Sequence, residues 1–238
     1  MHKFKVQLHT HTRSDPDDCI VHSEKALIDK AAHHNYDVLA ITCHNKLVFS
    51  DELENYAASK NILLIPGIEK TIIGRHILIV NAAKEAEKIE SFAELEEYKK
   101  AHPECLIVAP HPFHPMPYAL REHFEKAQHL YDAIEWSSFH TKNYKFNEKA
   151  VQKAAELDLP LLGTSDNHVL KFLDYTYSYV FADEKTTDAI IDSIKQEKLE
   201  IQTKPMHMVR LSIMTIRFAV SEFFRKLFRR IYRKLLRK

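Results

Sequence analysis

Glycine is nearly absent from this chain: Gly67, Gly74 and Gly163 are the only three in 238 residues. A phosphate-cradling loop needs clustered glycines, so nucleotide-binding folds of the P-loop or Rossmann type are disfavoured. Cysteine is as scarce; Cys19, Cys43 and Cys105 are an odd number with no CxxC spacing. Neither a disulfide framework nor a thiolate zinc site is expected, and a reducing cytosol fits. No uninterrupted apolar run reaches the ~20 residues that cross a bilayer. The first residues enter an apolar-alternating run with no hydrophobic stretch before a cleavage site, so no signal peptide is expected. Sequence repeats, low-complexity segments and Gly/Ser linkers are lacking too.

What the chain does have is histidine, sixteen in all, against an ordinary background of 45% apolar and 28% charged residues. Its length suits one domain with a full core. Net charge is +1, but it is unevenly placed. Residues 204–238 hold eleven Lys/Arg and one acid, a charge of +10, and residues 1–203 hold 23 Lys/Arg against 32 Asp/Glu, a charge of −9. An acidic body with a basic tail predicts two parts, divided at 203/204.

Within 1–203, apolar runs of strand length alternate with helical periodicity. Strands are predicted at 3–8, 37–42, 62–66, 72–80, 106–109, 133–136, 159–162, 177–181 and 200–203. Helices are predicted at 23–34, 51–60, 83–101, 118–130, 144–157 and 187–198. About seven βα units predict an α/β domain of parallel strands, closed as a barrel more than spread as an open sheet.

Histidines and acids gather where these strands run out. Gln7-Leu8-His9-Thr10-His11-Thr12 ends the first strand, where residues two apart share a face and aim both imidazoles at one spot. Ile41-Thr42-Cys43-His44-Asn45 follows the second, Gly67-Ile68-Glu69 the third, with His76 a little further on. Pro110-His111-Pro112 and Ser165-Asp166-Asn167-His168 end two later ones. In barrels of parallel strands chemistry collects at such ends, and this recurrence predicts a multi-metal site. Arg13, Lys46 and Arg75 lie beside it as candidate phosphate contacts, Arg13 foremost, and His114 and His140 are candidate proton donors to a leaving group. The other histidines, His22 among them, are expected at the surface, and Trp136 in the core.

The order HTHT…D…ITCHN…GIE…H…PHP…SDNH resembles the polymerase and histidinol phosphatase (PHP) family. The resemblance covers about residues 1–203 and is closest to the small stand-alone phosphoesterases. It implies a distorted (β/α)7 barrel and a two- or three-metal centre that hydrolyses phosphate mono- or diesters. Residue by residue, it makes His9, His11, Glu69 and Asp166 ligands of one ion. Glu69, bridging, would hold a second with His76 and His111. A third would take His44, His168 and an aspartate after HTHT; Asp15, Asp17 and Asp18 all stand near, and register favours Asp18. Cys43 departs from the family's usual ITDH, which removes a carboxylate that would orient a neighbour. Ligands of this kind suit zinc, manganese or iron(II). Two such cations about 3.5–4 Å apart activate a bridging water and clamp the ester oxygens. Arg13 and Lys46, with His114, complete the expected catalytic set. A 5′-directed nucleic-acid phosphoesterase or exonuclease is the alternative within this chemistry. An amidohydrolase and a non-catalytic metal-binding module are the alternatives outside it.

From Val209 the tail reads as one helix, with Val220, Phe224, Leu227, Phe228, Ile231 and Leu235 on a single apolar face and Arg225, Lys226, Arg229, Arg233 and Arg237 opposite. Three partners suit 209–238: the barrel or a sister subunit, an anionic membrane, or nucleic acid. The expected location is cytoplasmic, peripheral at the inner face of the membrane if the tail binds lipid.

Overall fold

The computed structural model describes residues 1–206, so the predicted C-terminal helix lies outside the described residues. The chain runs β1 (His2–Gln7), α1 (Glu24–His33), β2 (Val38–Ile41), α2 (Asp51–Ser59), β3 (Leu63–Ile72) and β4 (Arg75–Val80). It continues through α3 (Phe92–Ala101), β5 (Leu106–Ala109), α4 (Glu122–Ala127), β6 (Ala133–Ser137), α5 (Glu148–Leu157) and β7 (Leu161–Thr164), then β8 (Thr176–Ala182), α6 (Thr187–Lys195) and β9 (Leu199–Thr203). Four helices start where a hydroxyl takes up a free backbone N–H: Ser23 for Ala26, Ser50 for Leu53, Ser91 for Glu94 and Thr186 for Ala189.

The strands form one sheet in the order β7-β6-β5-β4-β3-β2-β1-β8-β9. The pairing departs from a wholly parallel pattern, because β4 is antiparallel to β3 and β5, and β8 is antiparallel to β1 and β9. The predicted 62–66 and 72–80 runs are two arms of a hairpin. Ile73 and Gly74, at φ 45° and 77°, make its two-residue turn, as hairpin turns with both central residues at positive φ do. Periodicity reports burial, not strand direction, so the hairpin and a crossover look alike in sequence. The predicted 83–101 helix divides into a 3-10 turn at Lys84–Lys88 and α3, since Ile89 is extended.

The sheet curls until its ends nearly meet. Where β7 faces β8, the Ser178 hydroxyl accepts from the Gly163 N–H (2.9 Å) and donates to the Gly163 carbonyl (3.1 Å). A Cβ at Gly163 would stand 2.6 Å from the Ile201 side chain, so glycine is what this approach permits. Beyond the ends of the named strands, the extensions of β1 and β7 pair directly, through Thr10 and Asn167. The result is a distorted, nearly closed α/β barrel, the fold class expected from sequence.

Alternate residues fill the interior: Val6 and Leu8 from β1, Val38 and Ala40, Ile65, Leu78 and Val80, Leu106 and Val108, Ala133, Leu162 and Val180. Ile190, Ile191 and Ile194 of α6 join this cluster and plug one end. Separate apolar layers bury the helices against the outside of the sheet. The end away from α6 is polar.

Candidate metal centre

The inward period of two carries straight from the core into the site. Continuing it gives His44 after Ala40 and Thr42, Glu69 after Ile65 and Gly67, Glu135 after Ala133, and Asp166 after Leu162 and Thr164. On β4, running the other way, His76 precedes Leu78 and Val80. The barrel's top layer is thus made of imidazoles and carboxylates where its lower layers are aliphatic.

Glu69, almost wholly buried, stands at the middle. Its Oε2 is 3.1 Å from His9 Nε2, 3.2 Å from His11 Nε2 and 3.1 Å from His44 Nε2. Its Oε1 is 2.8 Å from His76 Nδ1 and 3.2 Å from His111 Nε2. Asp166 Oδ1 lies 3.4 Å from His9 Nε2 and 3.2 Å from His11 Nε2. Yet His9 Nε2, His11 Nε2 and Asp166 Oδ1 are buried and make no hydrogen bond. Buried polar atoms are almost always partnered, so three of them converging without one fit a cation between them. His111 and Asp166 also hold left-handed backbone (φ 31° and 45°), a strain that non-glycine residues keep mainly at functional sites.

The remaining expected ligands stand further out. His168 Nε2 is 2.8 Å from Asp18 Oδ2, and His44 Nδ1 is 3.7 Å from the same oxygen. Donor atoms of His11, His44 and His168 lie close enough for one ion, as do those of Asp15, Asp18 and His44, and of His44, Glu69 and His76. Of the three aspartates, Asp18 reaches His168, and Asp17 accepts from the Asn45 amide (2.9 Å). Asp15 is buried and braces two imidazoles, with Oδ2 at 2.9 Å from both His11 Nδ1 and His44 Nδ1 and accepting the His44 N–H at 2.8 Å. It thereby supplies the orienting carboxylate that Cys43 does not; Cys43 Sγ faces Thr12 Oγ1 at 3.3 Å.

The charges are strongly coupled. Burial works to discharge His9, but Asp166, Glu69 and Glu135 outweigh it and raise its pKa to about 10. Burial opposes charge on His44 as well, and Glu69 and Asp15 lift it to about 10. Burial would push Glu69 up, but His76, His9 and His44 hold it well below the usual carboxylate range. Such a site binds positive charge whether as protons or as metal.

The expected phosphate and proton-transfer residues are placed less uniformly. Arg13 and Lys46 are exposed on loops that carry proposed ligands, and Arg13 donates to the Val21 carbonyl at 3.2 Å. Arg75 is turned to another task, since its guanidinium donates to the carbonyls of Pro117 and Ala119 and meets Glu122. His114 is buried beside His111, its ring 6.4 Å away, with Nε2 on the Phe139 carbonyl. Burial, with His111 adding to it, pushes its pKa down to about 4, so at neutral pH it holds a single proton, on Nε2. His140 pairs with Thr203 instead and lines an outer groove with Trp136, Lys142 and Lys145, which also leaves Trp136 outside the core proper. His22, expected at the surface, is buried, its Nε2 donating to the His11 carbonyl at 2.8 Å.

One residue escaped the sequence reading. Glu135 is fully buried in β6, 2.8 Å from His9 Nδ1. The signal for it was an acid in the inward register of the apolar run Ala133-Ile134-Glu135-Trp136.

Residues 145–199, reaching from before α5 to the first residue of β9, match a family model described as PHP-associated. No curated protein matches the chain in sequence. Among solved structures, it is similar to a two-domain Bacteroides vulgatus protein containing a predicted PHP-like metal-dependent phosphoesterase (21% identity, TM-score 0.68, 85% of this chain and 65% of that one). It is similar also to PsfC from Pseudomonas syringae (16%, 0.63, 96% and 100%) and to a lesion-specific endonuclease, EndoQ, from Pyrococcus furiosus (15%, 0.57, 84% and 58%). The chain thus spans less than two thirds of the first of these proteins, and at such identities the likeness establishes the fold.

Proposed function

We propose, from its barrel fold and its PHP-associated segment at residues 145–199, that this chain is a metal-dependent hydrolase of phosphate esters. The observation that carries this reading is the convergence of His9 Nε2, His11 Nε2 and Asp166 Oδ1, buried and unpartnered, on the Glu69 carboxylate. His9, His11, Glu69 and Asp166 would hold one ion, and Glu69, His76 and His111 a second, with His44 close enough to share it. Asp18, His44 and His168 would hold a third. Bound there, two or three divalent ions supply Lewis acidity to the phosphoryl oxygens and an acidified water. The residues do the rest. Glu69 would offset the charge of the cations held by the imidazoles around it. Asp15 and Glu135 fix the imidazole tautomers, and the barrel wall excludes bulk water from the inner ligands. Arg13 and Lys46, exposed on loops that carry proposed ligands, would contact the incoming phosphate, and an Arg fork pairs well with its oxygens.

A second reading narrows the substrate to nucleic-acid ends or lesions. The likeness to the Pyrococcus endonuclease supports it, as does the basic charge of residues 204–238. Those residues would otherwise bring the enzyme to an anionic membrane or to a sister subunit. The deciding experiment is to purify the protein without chelator, count its zinc, manganese and iron, and screen phosphomonoesters, diesters and 5′-phosphorylated oligonucleotides with each metal. Two to three ions per chain and metal-dependent hydrolysis are expected. Full hydrolysis by metal-stripped protein would defeat the proposal.

A further inference from the structure

Glu135 is a buried acid with no lysine or arginine among its hydrogen-bond partners. It is 0% exposed and sits in the inward register of β6, level with the metal-ligand layer. A carboxyl group so placed is costly unless every lone pair is used. Here both oxygens are taken. Oε1 accepts from His9 Nδ1 at 2.8 Å and from the Thr164 hydroxyl, and Oε2 accepts from the His111 backbone N–H at 2.5 Å. Those partners come from the end of β1, the end of β5 and from β7, so one side chain ties three strand ends to a fourth.

Each contact bears on a proposed ligand. With a proton committed on Nδ1 to Glu135, His9 turns Nε2 toward Glu69 and Asp166 as the nitrogen an ion would take. The His111 main chain, bent to φ 31°, is pinned by its N–H while Nε2 reaches Glu69 Oε1 at 3.2 Å. Glu135 spends both oxygens on these donors, whereas His9 Nε2, His11 Nε2 and Asp166 Oδ1 remain without a hydrogen bond.

We propose that Glu135 is a positioning residue for the metal centre, which sets the His9 tautomer and the His111 backbone so that both imidazoles can reach the metals. The inference rests on reading the cluster as a metal centre. An anionic acceptor behind a ligating imidazole also makes the ring a better donor, and losing such a partner weakens binding by about 10–100-fold.

The test measures metal binding directly, not turnover. Manganese and zinc are titrated into metal-stripped wild-type protein, Glu135→Gln and Thr164→Val by calorimetry, and His9 is followed by long-range 1H–15N NMR. Glutamine keeps the shape but sets an N–H2 against one of the existing donors. Glu135→Gln is therefore expected to weaken the tightest site by about 10–100-fold. The His9 Nδ1–H signal should shift or split, and the metal-free melting temperature should fall as well, because a buried donor and a charged imidazole lose their acceptor. Thr164→Val should show the same loss in milder form. Wild-type affinity and an unaltered His9 tautomer in Glu135→Gln would overturn the inference, and so would a lower metal-free melting temperature with unchanged affinity. If Glu135→Gln does not fold, wild-type affinity in Thr164→Val overturns it. Wild-type protein that binds neither metal would instead overturn the reading of the cluster on which the inference depends.

Discussion

The site has two halves that differ in depth and in how their polar atoms are satisfied. The inner half, His9, His11, Glu69, His76, His111 and Asp166, lies in the barrel's top layer, its side chains no more than 7% exposed. The outer half, Asp18 and His168 with His44 shared between them, rests on loops, with Asp18 17% and His168 10% exposed. In the outer half His168 and Asp18 already meet as a pair at 2.8 Å, whereas in the inner half His9 Nε2, His11 Nε2 and Asp166 Oδ1 make no hydrogen bond. A buried set without partners gains most from an ion, because desolvation strengthens each ligand bond and water cannot compete. A wetter set whose members pair with one another binds an ion less tightly. The difference would separate an ion retained through purification from one that exchanges.

The largest effect should come from the residue at the middle of the inner half. Glu69→Gln removes the charge facing five imidazoles. Purified protein should lose its inner ions by mass spectrometric metal analysis, and hydrolysis should fall by about 10³-fold, the scale on which buried electrostatic stabilisers act. Retained inner metal in that variant would place the ions elsewhere.

Acid–base behaviour of the metal-free protein sharpens the contrast next. His9 and His44 are raised from 6.5 to about 10 by the surrounding carboxylates. Protonated in the folded state, they contribute stability that is complete below pH 6.5 and lost as pH climbs toward 10. The melting temperature of stripped protein should therefore fall across that interval, while that of metal-loaded protein stays flatter, so the gap between them widens with pH. A constant gap in calorimetry would show that metal and protons do not compete for these imidazoles.

A smaller and selective effect is expected outside. Asp18→Asn should weaken one ion by roughly tenfold and leave the inner ions in place. Equal loss from both halves would erase the distinction. The smallest effect on turnover should come from Asp174→Asn, about twofold at most, since Asp174 lies apart from the ligands. Its carboxylate instead meets Lys5 Nζ at 2.5 Å, and Lys5 is only 11% exposed. Weakening that charge-assisted contact, which leaves Lys5 Nζ the His34 carbonyl at 3.0 Å, should cost about 1–3 kcal/mol of folding stability, visible in urea unfolding.

Much of this was legible in the chain. His9-x-His11, His44, Glu69, His111 and the Asp166-x-His168 pair could be marked from sequence, because a strand that ends in a site simply exchanges aliphatic for ligating side chains. Glu135 was missed because it lies inside a run whose other members, Ala133 and Ile134, speak only of burial. His22 was missed because a histidine beside a helix start looks solvated until the loop folds over it. Asp15 and Asp18 could not be given separate tasks, since both lie a few residues beyond His11 and their roles depend on which way the loop turns.

The sequence by itself determined the alternation of strands and helices, the apolar interior and the chemical kind of the site, for these follow from local periodicity and residue type. Only the tertiary structure decided that β4 and β8 run backwards, that β1 and β7 meet through Thr10 and Asn167, and that Glu135 and Asp15 stand behind the ligands. Strand direction, barrel closure, the turn of the loop that carries Asp15 and a hydrogen bond spanning 126 positions from His9 to Glu135 depend on tertiary packing, which no local pattern records.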